Sequence, residues 1–181
     1  MKFFSGFSLK NEEELFDFWL DKSQYSVAGF SYGAIKAFEY VYNSKNRVDR
    51  LILLSPAFFE NRDLAFKKMQ IIYFKKNPQI YIDNFLNNIN SPKSSIDLSK
   101  YIKIGSSNEL KELLYYKWDI KKIESILNRG TIIEVILGES DKIIDTKEAL
   151  NFFQKYTTTY LMKNANHILR TKDDKYSNYR M

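Results

Sequence analysis

Three side chains of the right types for nucleophilic chemistry occur in an order that chemistry can use. Ser31 lies in Gly29-Phe30-Ser31-Tyr32-Gly33. The short apolar run Tyr25-Ser26-Val27-Ala28 precedes it, and Ala34-Ile35-Lys36-Ala37-Phe38-Glu39-Tyr40-Val41-Tyr42 reads as helix after it. Strand, sharp turn and helix around Gly-x-Ser-x-Gly make a nucleophile elbow. The turn forces the serine into a strained backbone conformation that lifts its hydroxyl clear of the strand end. The flanking glycines remove side chains that would collide there. A serine nucleophile needs a base, and His167 is the only histidine in the chain. It follows the strand-like stretch 157–162, in the loop Lys163-Asn164-Ala165-Asn166.

An acid is needed to orient that base. Residues 131–137 are almost wholly apolar and read as a buried strand ended by Gly138. The loop beyond it carries Glu139, Asp141 and Asp145. Asp141, three residues past the glycine, is the preferred acid, with Glu139 and Asp145 as competitors. The order serine, acid, histidine is one of those known for such triads. The backbone N–H of Tyr32, at the helix N-terminus, is a donor for a developing oxyanion. A second donor is expected from the Ser5-Gly6-Phe7-Ser8 turn after the short strand Lys2-Phe3-Phe4, with Phe7 N–H the candidate.

The elements that must hold these groups follow from composition and pattern. The 181 residues are 44% hydrophobic, which suits one core and predicts a single domain over 1–181. The absence of cysteine excludes disulfides, thiolate metal sites and cysteine catalysis. No cofactor and no metal are expected. A chain without cysteine fits a reducing cytoplasm, which is the expected location; the start is too short in apolar residues for a signal peptide, and no window has transmembrane length without charge. The net charge of +6 points to an acidic partner. No basic motif interleaved with aromatics supports nucleic-acid binding.

Along the chain, Asn11 is expected to cap a helix to about residue 22, with Glu12, Glu13 and Glu14 in its first turn. Leu51-Ile52-Leu53-Leu54 is a buried parallel strand. Between residues 57 and 130 the strand signal stops. Helices are expected over 62–76, 79–89 and from Asn108 to about 127, forming an insertion over the site. This stretch carries thirteen basic and eight acidic residues, so most of the net charge lies on it. Arg62, Lys68, Lys75 and Lys76 are the candidate partner-binding cations, with Lys68, Lys75 and Lys76 sharing one helix face. Thr146 is expected to cap a helix to about 155, and a polar helical tail to follow from 168 to about 180.

Together these features resemble a minimal α/β-hydrolase: about five parallel strands flanked by helices, with a helical cap over 57–130. Its chain begins almost at the strand that precedes the oxyanion turn, and one strand usual in the class is missing before the elbow. Phe3-Phe4-Ser5-Gly6-Phe7, Val27-Ala28-Gly29-Phe30-Ser31-Tyr32-Gly33-Ala34 and Arg50-Leu51-Ile52-Leu53-Leu54-Ser55-Pro56-Ala57-Phe58-Phe59 resemble the compact BioV-type pimeloyl-acyl-carrier-protein methyl ester esterases of biotin synthesis. Ser5 stands where many larger relatives have histidine. The resemblance implies hydrolysis of the methyl ester of a pimeloyl chain on acyl-carrier protein, whose acidity would match a basic cap. A general short-chain carboxylesterase or thioesterase of the same class, and a catalytically inactive binding module, are the alternatives.

Overall fold

The structure is a computed structural model that describes residues 1–172. Its centre is one five-stranded, wholly parallel sheet in sequential order: β1 (Lys2–Phe4), β2 (Ser26–Phe30), β3 (Arg50–Leu54), β4 (Ile132–Gly138) and β5 (Thr158–Met162). Among the described residues six α-helices accompany it: α1 (Tyr32–Asn43), α2 (Leu64–Lys76), α3 (Pro78–Ile89), α4 (Ser107–Tyr115), α5 (Ile120–Leu127) and α6 (Thr146–Phe153). Among the described residues no helix is long and apolar enough to cross a membrane.

Side chains alternate across a strand, so the apolar runs feed two cores. Val27, Leu51, Leu53, Ile133, Val135 and Leu137 face α1, α5 and α6. Ala28, Phe30, Ile52, Leu54 and Ile136 face Leu15, Phe16 and Leu20, with Leu98, Tyr101, Ile168 and Leu169. One face of the sheet is therefore covered by helices, and the other by short turns and loops together with the end of α3 through Ile89. The α1, α5 and α6 crossovers all advance across the sheet in one direction on one face. The β1–β2 connection advances the same way over the opposite face, so it has the opposite hand. Right-handed crossover is the near-universal rule for such units, which makes this first connection the topological exception.

Its local structure departs from the sequence expectation. Instead of a helix from Asn11 to 22, a 3₁₀ helix spans Glu12–Phe16, and Asn11 sits at φ 55° with no side-chain cap. Glu12 is fully buried rather than solvated at a helix start. Its Oε1 accepts the Gly6 N–H at 2.6 Å, which draws the chain into the core and cuts the helix short.

The stretch from Asn108 to 127 also divides. Ser106, not Asn108, caps α4, in a capping box with Glu109. The chain then leaves the helix because Trp118 is anchored elsewhere: its N–H donates to Glu60 Oε1 (2.7 Å) and its indole N–H to Ala57 O (3.0 Å). Asp119 caps the separate α5. Helix α5 lies on the sheet beside α1, through Ile123 and Ile126, so only α2 to α4 roof the site. Helix α6 is capped by Asp145 rather than Thr146. Residues 168–172 are not helical, and the rest of the expected tail lies outside the described residues.

Two glycines hold the elbow against its neighbours. A Cβ on Gly29 would lie 2.2 Å from Gly33 O, and one on Gly33 would lie 1.9 Å from Phe4 O. Neither backbone atom can move aside. Gly33→Ala is therefore expected to cost about 4 kcal/mol or more, the upper end for single substitutions, read as a fall in thermal unfolding temperature or loss of soluble protein. A stable Gly33→Ala protein would show that the elbow is looser than this packing implies.

Candidate active site

Strand β2 ends and α1 begins at Ser31, with φ 53° and ψ −114°. Left-handed φ is costly for a non-glycine residue and persists only where the surroundings over-determine it. Here the determinants are backbone bonds. Ser31 N–H donates to Leu54 O (2.9 Å), and Ser31 O accepts from Ala34 N–H (3.1 Å) and Ala57 N–H (3.2 Å). The strand neighbour β3 and the turn after it thus clamp the serine.

His167 is fully buried, in the loop after β5. Its Nε2 lies 3.0 Å from Ser31 Oγ, and its Nδ1 lies 2.5 Å from Asp141 Oδ2. The Asp141 side chain is 1% exposed. Its other oxygen accepts the N–H groups of Ile143 (2.7 Å) and Ile144 (3.2 Å), which fixes the carboxylate plane. The two rival acids are engaged elsewhere. Glu139 accepts the Asn164 N–H at 2.9 Å. Asp145 caps α6 through Glu148 N–H and takes Asn61 Nδ2 at 3.0 Å.

The histidine loop is anchored by its neighbour. Asn166 is fully buried and donates to Asn90 Oδ1 (3.2 Å) and Pro92 O (2.9 Å), in the loop after α3. Its Oδ1 accepts the Arg170 N–H at 3.0 Å. Packing of the Phe30 ring, 5.1 Å from the imidazole centroid, completes the support.

Two backbone donors border the serine without acceptors. Neither Phe7 N–H nor Tyr32 N–H has a hydrogen-bond partner among the described residues, although both residues are nearly buried. Buried backbone donors are almost always paired, so two orphans beside a strained serine are what an oxyanion site requires. Phe7 lines the same cavity as Ser31. The Ser5 and Phe4 carbonyls press on Gly33, which keeps this turn against the elbow.

The elbow is also tied to the roof. Tyr32 donates its hydroxyl to Glu112 of α4, and Lys36 Nζ sits 4.4 Å above its ring. Burial first, and then the Glu112 carboxylate, push the Tyr32 hydroxyl above its ordinary pKa, so it stays a donor.

Above Ser31 opens a cavity of about 730 Å³, walled by α2, α3 and α4. Phe7, Phe59, Phe66, Phe85, Leu110 and Leu113 make it apolar, and Arg62, Lys76 and Lys142 add cations. This changes the grouping of the candidate cations. Arg62 precedes α2, whose N-cap is Asp63, so it is not on the helix. Arg62 and Lys76 line the cavity, whereas Lys68 and Lys75 are exposed on α2 outside it. Lys142, beside Asp141, escaped notice in the sequence because a lysine in an acidic loop looks solvated. Glu12 and Asn166 escaped for a related reason: polar residues in polar runs carry no local mark of burial.

Chemically, the arrangement can deprotonate a serine hydroxyl and stabilise both the imidazolium and an oxyanion, under an apolar roof. No protein-family model matches the chain, and no curated protein matches it in sequence. Solved structures do. The chain is similar to naproxen esterase (carboxylesterase NP) from Bacillus subtilis, at 20% identity and TM-score 0.53 over 86% of this chain and 57% of that one. It is similar to carboxylesterase CesB from Bacillus subtilis at 16% identity and TM-score 0.53, over 93% of this chain and 61% of the other. MenH from S. aureus aligns at 11% identity and TM-score 0.61, over 94% of this chain and 87% of its own. This chain thus spans about three fifths of the length of the two carboxylesterases. At these identities the likeness speaks to architecture, and with the sequential parallel sheet and the strained elbow serine it places this chain in the α/β-hydrolase fold.

Proposed function

We propose that this protein is a serine carboxylic ester hydrolase working through an acyl-enzyme, with Ser31 as nucleophile, His167 as base and Asp141 as its orienting acid. The observation that carries the reading is the continuous Ser31–His167–Asp141 relay on the floor of an apolar cavity. In the first half-reaction Ser31 Oγ attacks the ester carbonyl while His167 Nε2 takes its proton. The carbonyl oxygen becomes an oxyanion held by Phe7 and Tyr32 N–H. Collapse expels the alcohol, protonated by the imidazolium. Water, deprotonated by His167, then attacks the acyl-enzyme and releases the acid. That two of the similar solved structures are carboxylesterases supports this reaction class.

For the substrate, the resemblance in the first sixty residues favours the methyl ester of pimeloyl-acyl-carrier protein, cleaved to the free carboxylate and methanol. The apolar cavity suits a methylene chain, and the cations at and around it suit an acidic carrier. A general short-chain carboxylesterase is the second reading, favoured by the same apolar walls. Incubating the protein with carrier-linked pimeloyl methyl ester and with a free p-nitrophenyl ester separates them. The proposal expects the carrier-linked species to lose one methylene in mass, with a kcat/KM above that for the free ester. Turnover of the free ester alone would reject the carrier substrate.

Charge should act through encounter. Exposed cations speed association with an acidic partner and are screened by salt. Changing Lys68 and Lys75, which lie outside the cavity, together to glutamate is expected to raise KM for the carrier-linked ester about tenfold at low salt, one factor of ten being about 1.4 kcal/mol. Hydrolysis of the free ester should change little. Equal loss on both substrates would mean damage to α2, and no change on either would place docking elsewhere.

A further inference from the structure

Glu12 is completely buried, and the mechanism above makes no use of it. Its setting is costly for a carboxyl group. Oε1 accepts the Gly6 N–H at 2.6 Å, while Oε2 is buried without a hydrogen-bond partner among the described residues. Burial pushes its pKa above the ordinary value, and the Gly6 N–H and the nearby Ser5 hydroxyl only partly offset this. An apolar residue of the same volume would avoid that desolvation but would leave the buried Gly6 N–H without an acceptor, so the acid is tied to this turn.

What the carboxyl group touches is the turn that carries Phe7. Gly6 N–H is held by Glu12, and Gly6 O accepts the Leu9 N–H at 3.2 Å. The peptides on both sides of Gly6 are thereby fixed, and the second of them contains Phe7 N–H. That N–H is the unpaired donor in the cavity with Ser31. Strand β1 ends at Phe4, before the turn, and beyond Phe7 an antiparallel bridge from Leu9 to Ile102, with Lys103 N–H on Ser8 O at 3.0 Å, takes up the chain, so Glu12 is the side chain that fixes the Gly6 peptide between them. The Gly6 Cα itself lies where a Cβ would be 2.8 Å from the Phe30 ring, so the turn has little room on its other side.

We infer that Glu12 is a positioning residue for the oxyanion hole, its carboxyl oxygen on Gly6 N–H setting the direction of Phe7 N–H toward the Ser31 site. The inference rests on the ester-hydrolase reading.

The test compares Glu12→Gln, Glu12→Leu and Glu12→Asp with the wild-type protein. Glutamine keeps an acceptor at the same reach, leucine keeps volume without an acceptor, and aspartate withdraws the acceptor by one methylene. The readouts are kcat and KM on p-nitrophenyl butyrate, inhibition by a trifluoromethyl ketone, which forms a tetrahedral oxyanion adduct on serine, and thermal unfolding. Glutamine should stay within about threefold of wild type. Leucine and aspartate should lower kcat by about 10- to 100-fold, somewhat less than outright loss of an oxyanion donor. Their KM should hold, and trifluoromethyl ketone affinity should fall in step with kcat. A folded leucine variant with wild-type kcat would overturn the inference, as would a glutamine variant as impaired as leucine. If leucine does not fold, aspartate against glutamine decides: equal kcat values reject the positioning role. A wild-type protein that turns over no ester removes the hydrolase reading, and this inference falls with it.

Discussion

Ser31→Ala is expected to lower kcat on any ester substrate by about 10⁴-fold or more, while the protein stays folded. The hydroxyl makes one described side-chain hydrogen bond, to His167. The elbow is held by backbone groups that alanine retains: Ser31 N–H on Leu54 O and Ser31 O on two N–H groups. Alanine meets the same φ of 53° that serine already bears. Thermal unfolding should therefore move little while turnover collapses. A residual rate above water should survive, because Phe7 and Tyr32 N–H and the cavity remain. Activity near wild type in a folded Ser31→Ala protein would end the account of Ser31 as nucleophile.

The second large effect distinguishes the three acids of the β4–α6 loop. Asp141→Asn is expected to cost about 10⁴-fold in kcat, the penalty when the acid no longer holds the required histidine tautomer. The amide can still accept from Ile143 and Ile144 N–H, so the loop should keep its shape. Its NH₂ group facing Nδ1 would favour the tautomer that carries its proton on Nε2, which cannot accept the serine proton. Asp145→Asn should leave kcat within about twofold and stability within about 0.5 kcal/mol, since asparagine caps helices about as well as aspartate. Glu139→Gln should be similarly mild, because Gln can still accept the Asn164 N–H. Measured kcat values for the three variants decide the assignment. A larger loss in Asp145→Asn than in Asp141→Asn would contradict the geometry at His167.

How much of this was legible beforehand depends on whether a signal was local. The parallel sheet was, because buried strands such as Leu51 to Leu54 are written as unbroken apolar runs ended by serine, proline or glycine. Ser31 was, because the elbow needs two glycines at fixed offsets and a helix after them. The Ser106 to Glu109 capping box was equally local, yet Asn108 drew the helix start two residues late. The division of that helix was not local at all. It follows from Trp118 reaching Glu60 and Ala57, more than fifty residues away in the chain. The expected helix after Asn11 failed likewise: three successive glutamates favour a helix N-terminus, but one of them was taken by Gly6 N–H. Lysines on α2 could be placed by helical periodicity, whereas which of them faces the cavity depended on how α2 lies over Ser31. Polar residues recruited into the interior, Glu12 and Asn166, and the pairing of Tyr32 with Glu112 eighty residues away, are the part that sequence pattern cannot reach.

The central claim is that Ser31 is an activated nucleophile, and a fluorophosphonate probe reads that directly. Such probes phosphonylate serines whose hydroxyl is deprotonated by a positioned base. Intact mass followed by peptide mapping should find a single adduct on Ser31 in the wild-type protein. Labelling should be at least about 10³-fold slower in His167→Ala, from which the base is gone. No adduct on a folded wild-type protein, or an adduct that forms equally fast without His167, would contradict the account.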